Sequence, residues 1–337
     1  PWGANLGAEA EKLLITKYPV VPTKLKDSYM YFMLLCIEIL KENSYYGLIV
    51  PNTWLLINNT AEFRKKLLGY DVQEITDHGD GVFRDAIVES ATIFLRKRIT
   101  SKGQIVAKKY QKGLLRVDHI LDKKYWLEDE LHRIVIELIE FDYQLIKKME
   151  SQSTRFDLSS EIIFGIKPYQ VGHGKPKQTR ELVNARVFHS DKQIDTAWKP
   201  VVTGTDVNKF ACDFARNAYI KYGEWLMYPS NEQKILAPKI LLRRTSSDLR
   251  AVVDEKQYYP QNSLFIITSS KNINYLCGLL NSKLFDRIYK AKCPQVGKAF
   301  AEVKPSIIKS LPIAEASKDQ ENRMAEIVIE LHTMVRN

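Results

Sequence analysis

Asp77, His78 and Asp80 stand together in one stretch, and carboxylates beside an imidazole are the groups that acid-base or metal chemistry uses. Gly79 and Gly81 interleave them, so the stretch also reads as a turn-rich loop leading into Val82-Phe83-Arg84-Asp85-Ala86. Other reactive types are dispersed. Cys36, Cys212, Cys277 and Cys293 show no paired spacing for zinc or a redox motif and read as reduced structural thiols. His119, His132, His173, His189 and His332 carry no ligand spacing. Charge is more informative. Of a net +10, all the excess falls in residues 152–315, with 25 Lys and Arg against 15 Asp and Glu, while the remainder balances at 25 against 25. A basic region beside a neutral one predicts contact with a polyanion, because neutralising phosphates releases counterions.

Residues 27–54 organise the first part of the chain. Tyr29, Phe32, Met33, Cys36, Ile37 and Leu40 recur at steps of three and one, which predicts a helix with those residues on one face. Asp27 or Ser28 supplies its N-cap. Lys41 to Ser44 break the pattern, and the apolar run 46–50, closed by Pro51, predicts a central parallel strand covered on both faces. Residues 1–26 read as loop, since Pro19 and Pro22 oppose helix. Asn59 or Thr60 would cap a helix ending at Leu68. Strands are predicted over 72–76 and 90–95, the two antiparallel because no crossover helix separates them.

The first domain is expected to end near residue 115, followed by a helical linker over 116–151 containing a helix at 128–149. Short strands at 162–164, 200–202, 239–242, 251–253 and 264–267 make 152–315 mostly β, with helical spacing returning at 272–289. A last amphipathic helix occupies 316–337. No apolar run reaches the roughly 18 residues of a membrane helix, and no signal segment is apparent, so we expect a cytoplasmic protein with no membrane partner.

Four pieces in this order resemble the adenine N-6 DNA methyltransferases of the Taq type (the gamma class). Pro1-Trp2-Gly3 is similar to the end of their Asn-Pro-Pro-aromatic motif, and residues 27–32 to the helix start whose aromatic lies against the cofactor. Residues 47–54 resemble the strand ending in Val-Pro-x-x-Trp. Gly81-Val82-Phe83 resembles the loop whose Phe packs on the extruded base, with 90–98 as the following strand. Residues 200–204, 240–253, 279–282 and 311–312 are similar to segments of the family's target-recognition domain.

The resemblance implies the distal part of a Rossmann-like methyltransferase α/β sheet plus a mostly β, α+β target-recognition domain, methylating adenine N-6 in a restriction-modification system. In the family, an Asn side chain and a Pro carbonyl accept the two N-H bonds of the adenine amine, a poor nucleophile because its lone pair is delocalised. Pro1, Trp2 and Phe83 are then the catalytic-loop residues, Trp2 and Phe83 flanking the extruded base. Phe32, with Tyr29 and Tyr31 beside it, would face S-adenosylmethionine. Direct methyl transfer needs no metal, so Asp77, His78 and Asp80 read as turn residues. Double-stranded DNA would meet Lys167, Lys199, Thr203, Gly204, Arg243, Arg244, Arg287, Lys290, Lys292 and Lys298. Arg243-Arg244 could include a bidentate guanine reader, and the lysines around Cys293 would hold phosphates.

The family's glycine-rich cofactor loop, its acidic ribose ligand and the Asn of its catalytic motif would all precede Pro1. We therefore expect the chain to be the C-terminal portion of a longer enzyme and inactive without the N-terminal portion. Two other readings are a non-catalytic DNA-binding specificity module and part of a bifunctional restriction endonuclease-methyltransferase.

Overall fold

An all-round apolar helix sets the first unit. In a computed structural model, which describes residues 6–22, 28–83, 88–151, 153–214, 218–293 and 302–336, contacts divide the chain into Pro1–Lys147 and Lys148–Asn337. The first unit contains helix α1 (Ala8–Lys17), α2 (Ser28–Ile39), strand β1 (Tyr45–Pro51), α3 (Ala61–Leu68), β2 (Tyr70–Gly79), β3 (Ser90–Ile99), β4 (Gln104–Gln111), β5 (Leu114–Asp122) and α4 (Lys124–Glu128). Helix α5 (Glu140–Ser151) carries the chain into the second unit. In α2, Tyr29, Met30, Met33, Leu34 and Ile37 are buried. Phe32, Leu35 and Ile39, at steps of three and four, are exposed by 41%, 38% and 75%. Of the face expected, Tyr29, Met33 and Ile37 are buried and Cys36 and Leu40 pack against the core, while Phe32 lies off the core stripe, because a helix apolar on both sides gives no pattern by which to place its margin.

The five strands lie in the order β1-β3-β2-β4-β5. β1 and β2 are each antiparallel to β3, as expected for the β2–β3 pair, and β4 runs parallel to β2. β1 was expected at the centre of a parallel sheet. Instead, among the described residues it pairs with β3 alone, antiparallel, and its burial alternates: Tyr46 and Val50 point inward while Tyr45 and Ile49 are exposed. The core lies between one sheet face and α2, α3 and the chain around Trp126 to Ile136. On the other face Phe94 and Ile120 remain exposed.

Three further expectations change. Residues 8–17 form a helix where a loop was read, since both prolines fall beyond its end. β5 crosses the expected boundary at 115, so residues 116–122 are sheet. The helix read from residue 128 begins at Glu140. Between them Ile134, Ile136 and Leu138 are buried at alternate positions, a period of two that suits extended chain. Arg64, fully buried on α3, ties this segment down: its guanidinium donates to Leu131 O (2.6 Å), His132 O (2.8 Å), Trp54 O (2.7 Å) and Ile57 O (2.8 Å). Thr60 precedes α3 as expected, but its hydroxyl bonds to Trp54 O and Ile57 O and makes no helix cap.

The second unit holds β6 (Ser153–Arg155), β7 (Ser160–Phe164), α6 (Arg180–Ala185), β8 (His189–Ser190), β9 (Trp198–Val202), β10 (Val207–Asn208), β11 (Ala211–Cys212) and β12 (Tyr219–Lys221). There follow α7 (Glu232–Leu236), β13 (Lys239–Arg243), β14 (Ala251–Asp254), β15 (Tyr259–Pro260), β16 (Leu264–Ser269), α8 (Ile273–Asn281), α9 (Lys283–Lys292), α10 (Pro305–Lys309), β17 (Pro312–Ala314) and α11 (Lys318–Arg336). All five strands expected here form. Two four-stranded sheets, β15-β9-β12-β8 and β14-β13-β16-β7, carry the unit, with small pairs β10-β11 and β17-β6. The helical stretch 272–289 divides at Ser282, whose hydroxyl caps α9 by accepting from Phe285 N. Lys239 and Asp254 form a buried ion pair at 2.6 Å between neighbouring strands. No helix of the described residues is long and apolar enough to cross a membrane.

Candidate functional site

Because β1, β2 and β4 run in one direction, their carboxyl ends gather at one end of the first unit's sheet. Pro51 and Gly79 both register with Ser90, and Asp77 registers with Lys109. Crevices beside carboxyl strand ends are where open α/β sheets bind ligands. Here Asp77, 8% exposed, is the hub. Its Oδ1 accepts from Asn52 Nδ2 at 3.0 Å and from Gly79 N at 3.1 Å, and its Oδ2 lies 3.5 Å from Lys109 Nζ. Burial works against the Lys109 charge, but Glu137 and Asp77 outweigh it and its pKa is raised.

Asp77 and His78 were read as turn residues; they lie within β2, which continues to Gly79. His78 bonds through Nε2 to Thr92 Oγ1 at 2.6 Å and stacks on Tyr110, and burial lowers its pKa. An imidazole spent on a strand neighbour and a carboxylate spent on an amide, a backbone N-H and an ammonium make a scaffold. Among the described residues no group of three His, Cys, Asp or Glu could hold a metal. What this scaffold positions is the loop beyond it. Gly79 and Gly81, with φ of +65° and +80°, turn the chain toward Phe83, which is half-buried.

The start of α2 is brought to the same end, since Tyr29 Oη bonds Thr53 Oγ1 at 3.0 Å just beyond β1. Of the three aromatics expected at a cofactor, Tyr29 (1% exposed) and Tyr31 (5%) are core residues, and Tyr31 packs its ring on Tyr18. Phe32 alone of the three offers an open ring. Pro1 and Trp2 lie outside the described residues. Asn52 and Lys109 were missed by sequence reading; the position of Asn52 directly after the closing Pro51 was the available signal.

In the second unit a cleft of about 480 Å³ is lined by Thr203, Gly204, Thr205, Arg243, Thr245, Ser246, Ser247, Arg250 and Ser263. The Thr203–Asp206 turn is fixed by its own capping box, with Asp206 Oδ2 accepting from Thr203 N at 2.7 Å and Oγ1 at 2.8 Å. Gly204 N donates to Ser263 Oγ at 2.8 Å, and a Cβ on Gly204 would lie 3.0 Å from Ser263 O, so the two loops touch closely only because no side chain intervenes. Arg243 spends only its Nε, on Thr245 O at 2.9 Å; among the described residues its two terminal amino groups have no partner.

Arg244 departs from expectation. Its guanidinium bonds Glu302 (2.8 and 2.7 Å) and Asn262 O (3.1 Å) and lies over Phe164, holding the Glu302 carboxyl below its ordinary pKa. Lys290 and Lys292 are also engaged, with Asp286 and Glu150, which lessens their capacity to hold phosphate; Arg287 on the same helix is exposed. Lys298 lies outside the described residues. Lys167 donates to the neutral Gln170, and Lys199 on β9 is half-buried opposite Ile220. The cleft thus collects Thr203, Gly204 and Arg243 from the expected set, and hydroxyls at 245–247 that the sequence did not single out.

Comparison with known proteins decides what this pairing of units is. Residues 1–83 match the Eco57I restriction-modification methylase family, and residues 199–313 match the TaqI-like C-terminal specificity domain. The chain thus joins a stretch similar to restriction-modification methylases to one similar to TaqI-like specificity domains. The fold agrees. The structure of the type IIL restriction-modification enzyme MmeI, solved in complex with DNA, aligns over 95% of this chain and 46% of its own at 10% identity and a TM-score of 0.53. The type IIG restriction endonuclease BpuSI aligns over 98% and 48% at 12% identity and a TM-score of 0.40. The chain therefore spans about half the length of those enzymes. No curated protein sequence matches it significantly.

Proposed function

We propose that the chain takes part in site-specific adenine N-6 methylation of double-stranded DNA, the first unit contributing to the catalytic domain and the TaqI-like specificity domain reading the target. One observation carries the reading: the carboxyl ends of β1 and β2, the start of α2 and the Phe83 loop converge on one end of the sheet. An adenine leaving the duplex forfeits roughly a few kcal/mol of stacking and pairing. Phe83 offsets this from one side and Trp2 from the other, with Pro1 in the same catalytic loop. S-adenosylmethionine, when bound, supplies the methyl group. An open phenyl ring fits its adenosyl group by stacking, and Phe32, on the helix whose start is tied to the end of β1, is such a ring.

The first unit also supports its being part of a larger catalytic domain. Tyr45, Ile49, Phe94 and Ile120 leave apolar surface open on the sheet, and Leu35 and Ile39 do so on α2. Exposure of that extent marks surface that a further element covers. In the second unit Arg243, whose two terminal amino groups have no partner among the described residues beside a hydroxyl-rich cleft, is the base reader, and Lys167, Lys199 and Arg287 contact phosphates. The test is transfer of labelled methyl to duplex DNA by the intact protein. Loss of transfer with retained DNA binding in Phe83→Ala and Trp2→Ala is the expected result; full activity in both overturns the site.

A further inference from the structure

Residues 168–178 form a loop lying outside the stretch that matches the specificity domain, and its construction is unusually complete for exposed chain. One side chain holds it. Gln178, 3% exposed, donates through Nε2 to Pro168 O and Trp225 O, each at 2.8 Å, and accepts at Oε1 from Gln170 N at 3.0 Å. The backbone closes around this centre, with Gly172 N to Gln178 O at 2.9 Å, Gln178 N to His173 O at 2.8 Å and Lys175 N to Glu224 O at 2.9 Å. Gly174 (φ +85°) lies so near the Trp225 carbonyl that a Cβ would sit 2.3 Å from its oxygen. The backbone of the loop is thus fixed in one conformation.

What it presents is charge. Lys175 and Lys177 are exposed at the tip. Lys175 has only a 3.9 Å approach to Glu224, with both side chains at least 80% exposed, a pair that solvent screens. Lys177 has no ion-pair partner among the described residues. Lys167, at the loop's base, bonds to the neutral Gln170. Between residues 165 and 200 there are seven Lys and Arg against three Asp and Glu. Like charges held on a rigid loop repel one another, and neither tip lysine packs in the core. An anion meeting the loop gains from both charges, and a preformed loop loses little entropy in binding it.

We propose that the 168–178 loop is a phosphate-contacting clamp for duplex DNA, with Lys175 and Lys177 each neutralising a backbone phosphate and reading no sequence. The proposal rests on the DNA-binding reading given above. It is tested by titrating the full chain with a fluorescent mixed-sequence duplex at several salt concentrations. Each lost phosphate contact removes about 0.9 from the slope of log Kobs against log[salt], so Lys175→Gln/Lys177→Gln should lower the slope magnitude by about 2. Lys175→Arg/Lys177→Arg should keep it, as should Lys65→Gln/Lys66→Gln on α3, which removes the same charge from the first unit. An unchanged slope in the 175/177 glutamine variant, with wild-type binding intact, overturns the clamp and leaves the DNA reading standing. An equal fall in the 65/66 variant overturns it too, by showing that net charge alone acts. Absence of binding by the wild-type chain removes the DNA reading and the clamp together.

Discussion

Asp77 Oδ1 accepts a hydrogen bond from Asn52 Nδ2 at 3.0 Å, joining the carboxyl ends of two strands that are separated by β3 in the sheet. The same oxygen accepts from Gly79 N at 3.1 Å, so one carboxylate fixes both the turn after β1 and the entry to the Phe83 loop. Asp77→Ala leaves a buried amide, a backbone N-H and the Lys109 ammonium without that partner. We expect the first unit to lose about 2 kcal/mol in urea unfolding. Methyl transfer by the intact protein should fall while DNA affinity holds. Unaltered stability and transfer would show that the loop needs no such anchor.

Arg64→Ala should be the more damaging substitution. It deletes a buried cation whose hydrogen bonds serve four carbonyls on two separate segments. Burial lowers the Arg64 pKa to about 10, yet it stays charged at neutral pH. Loss of a group that satisfies this many buried acceptors costs about 3–5 kcal/mol. Denaturation followed by probes in each unit should show the first unit's transition moved and the second unit's unmoved.

Arg243 and Arg244 are adjacent in sequence, yet among the described residues only Arg244 is paired with a carboxylate. Arg243→Ala should leave the unfolding midpoint within error and reduce discrimination between target and non-target duplex by about 1–3 kcal/mol, the worth of a bidentate base contact. Arg244→Ala should reverse this, lowering stability by about 1 kcal/mol through the loss of Glu302 and Asn262. Equal effects of the two on both measurements would contradict the assignment.

A pH dependence follows from His189. Its Nδ1 bonds Tyr169 Oη at 2.9 Å and its Nε2 meets the Gln261 side-chain amide; burial, with Arg186 adding repulsion, lowers its pKa to about 4 from an ordinary 6.5. Between those values the unfolded chain binds the proton and the folded chain does not. Stability therefore rises with pH across this window and is lost on acidification from about 6.5 toward about 4. Urea midpoints of the second unit taken across the window should show the slope, and His189→Gln should flatten it.

Periodicity made much of this fold legible. The five short strands of the second unit, the antiparallel β2–β3 pair and the terminal helix follow from apolar spacing and turn residues. The edge position of β1 did not, because an apolar run reports how much surface can be buried and says nothing of which neighbour buries it. Residues 129–139 were misread although Ile134, Ile136 and Leu138 alternate, since the helical residues downstream extended the pattern backward. At the cleft of the second unit the sequence could not separate Arg243 from Arg244, whose difference lies in Glu302, 58 positions from Arg244. The Lys290 partner was readable: Asp286 stands four residues before it, the spacing of a helical ion pair.

The function proposed for this chain, with its methylase-like and specificity-domain-like stretches, is adenine methylation at a defined DNA sequence. The most direct measurement gives duplex DNA of mixed sequence to the intact protein with methyl-labelled S-adenosylmethionine, then identifies the modified nucleoside and its sequence context. N6-methyladenine at one recurring site is the predicted result. Label in cytosine, or none in DNA under conditions where the protein binds it, would contradict the account.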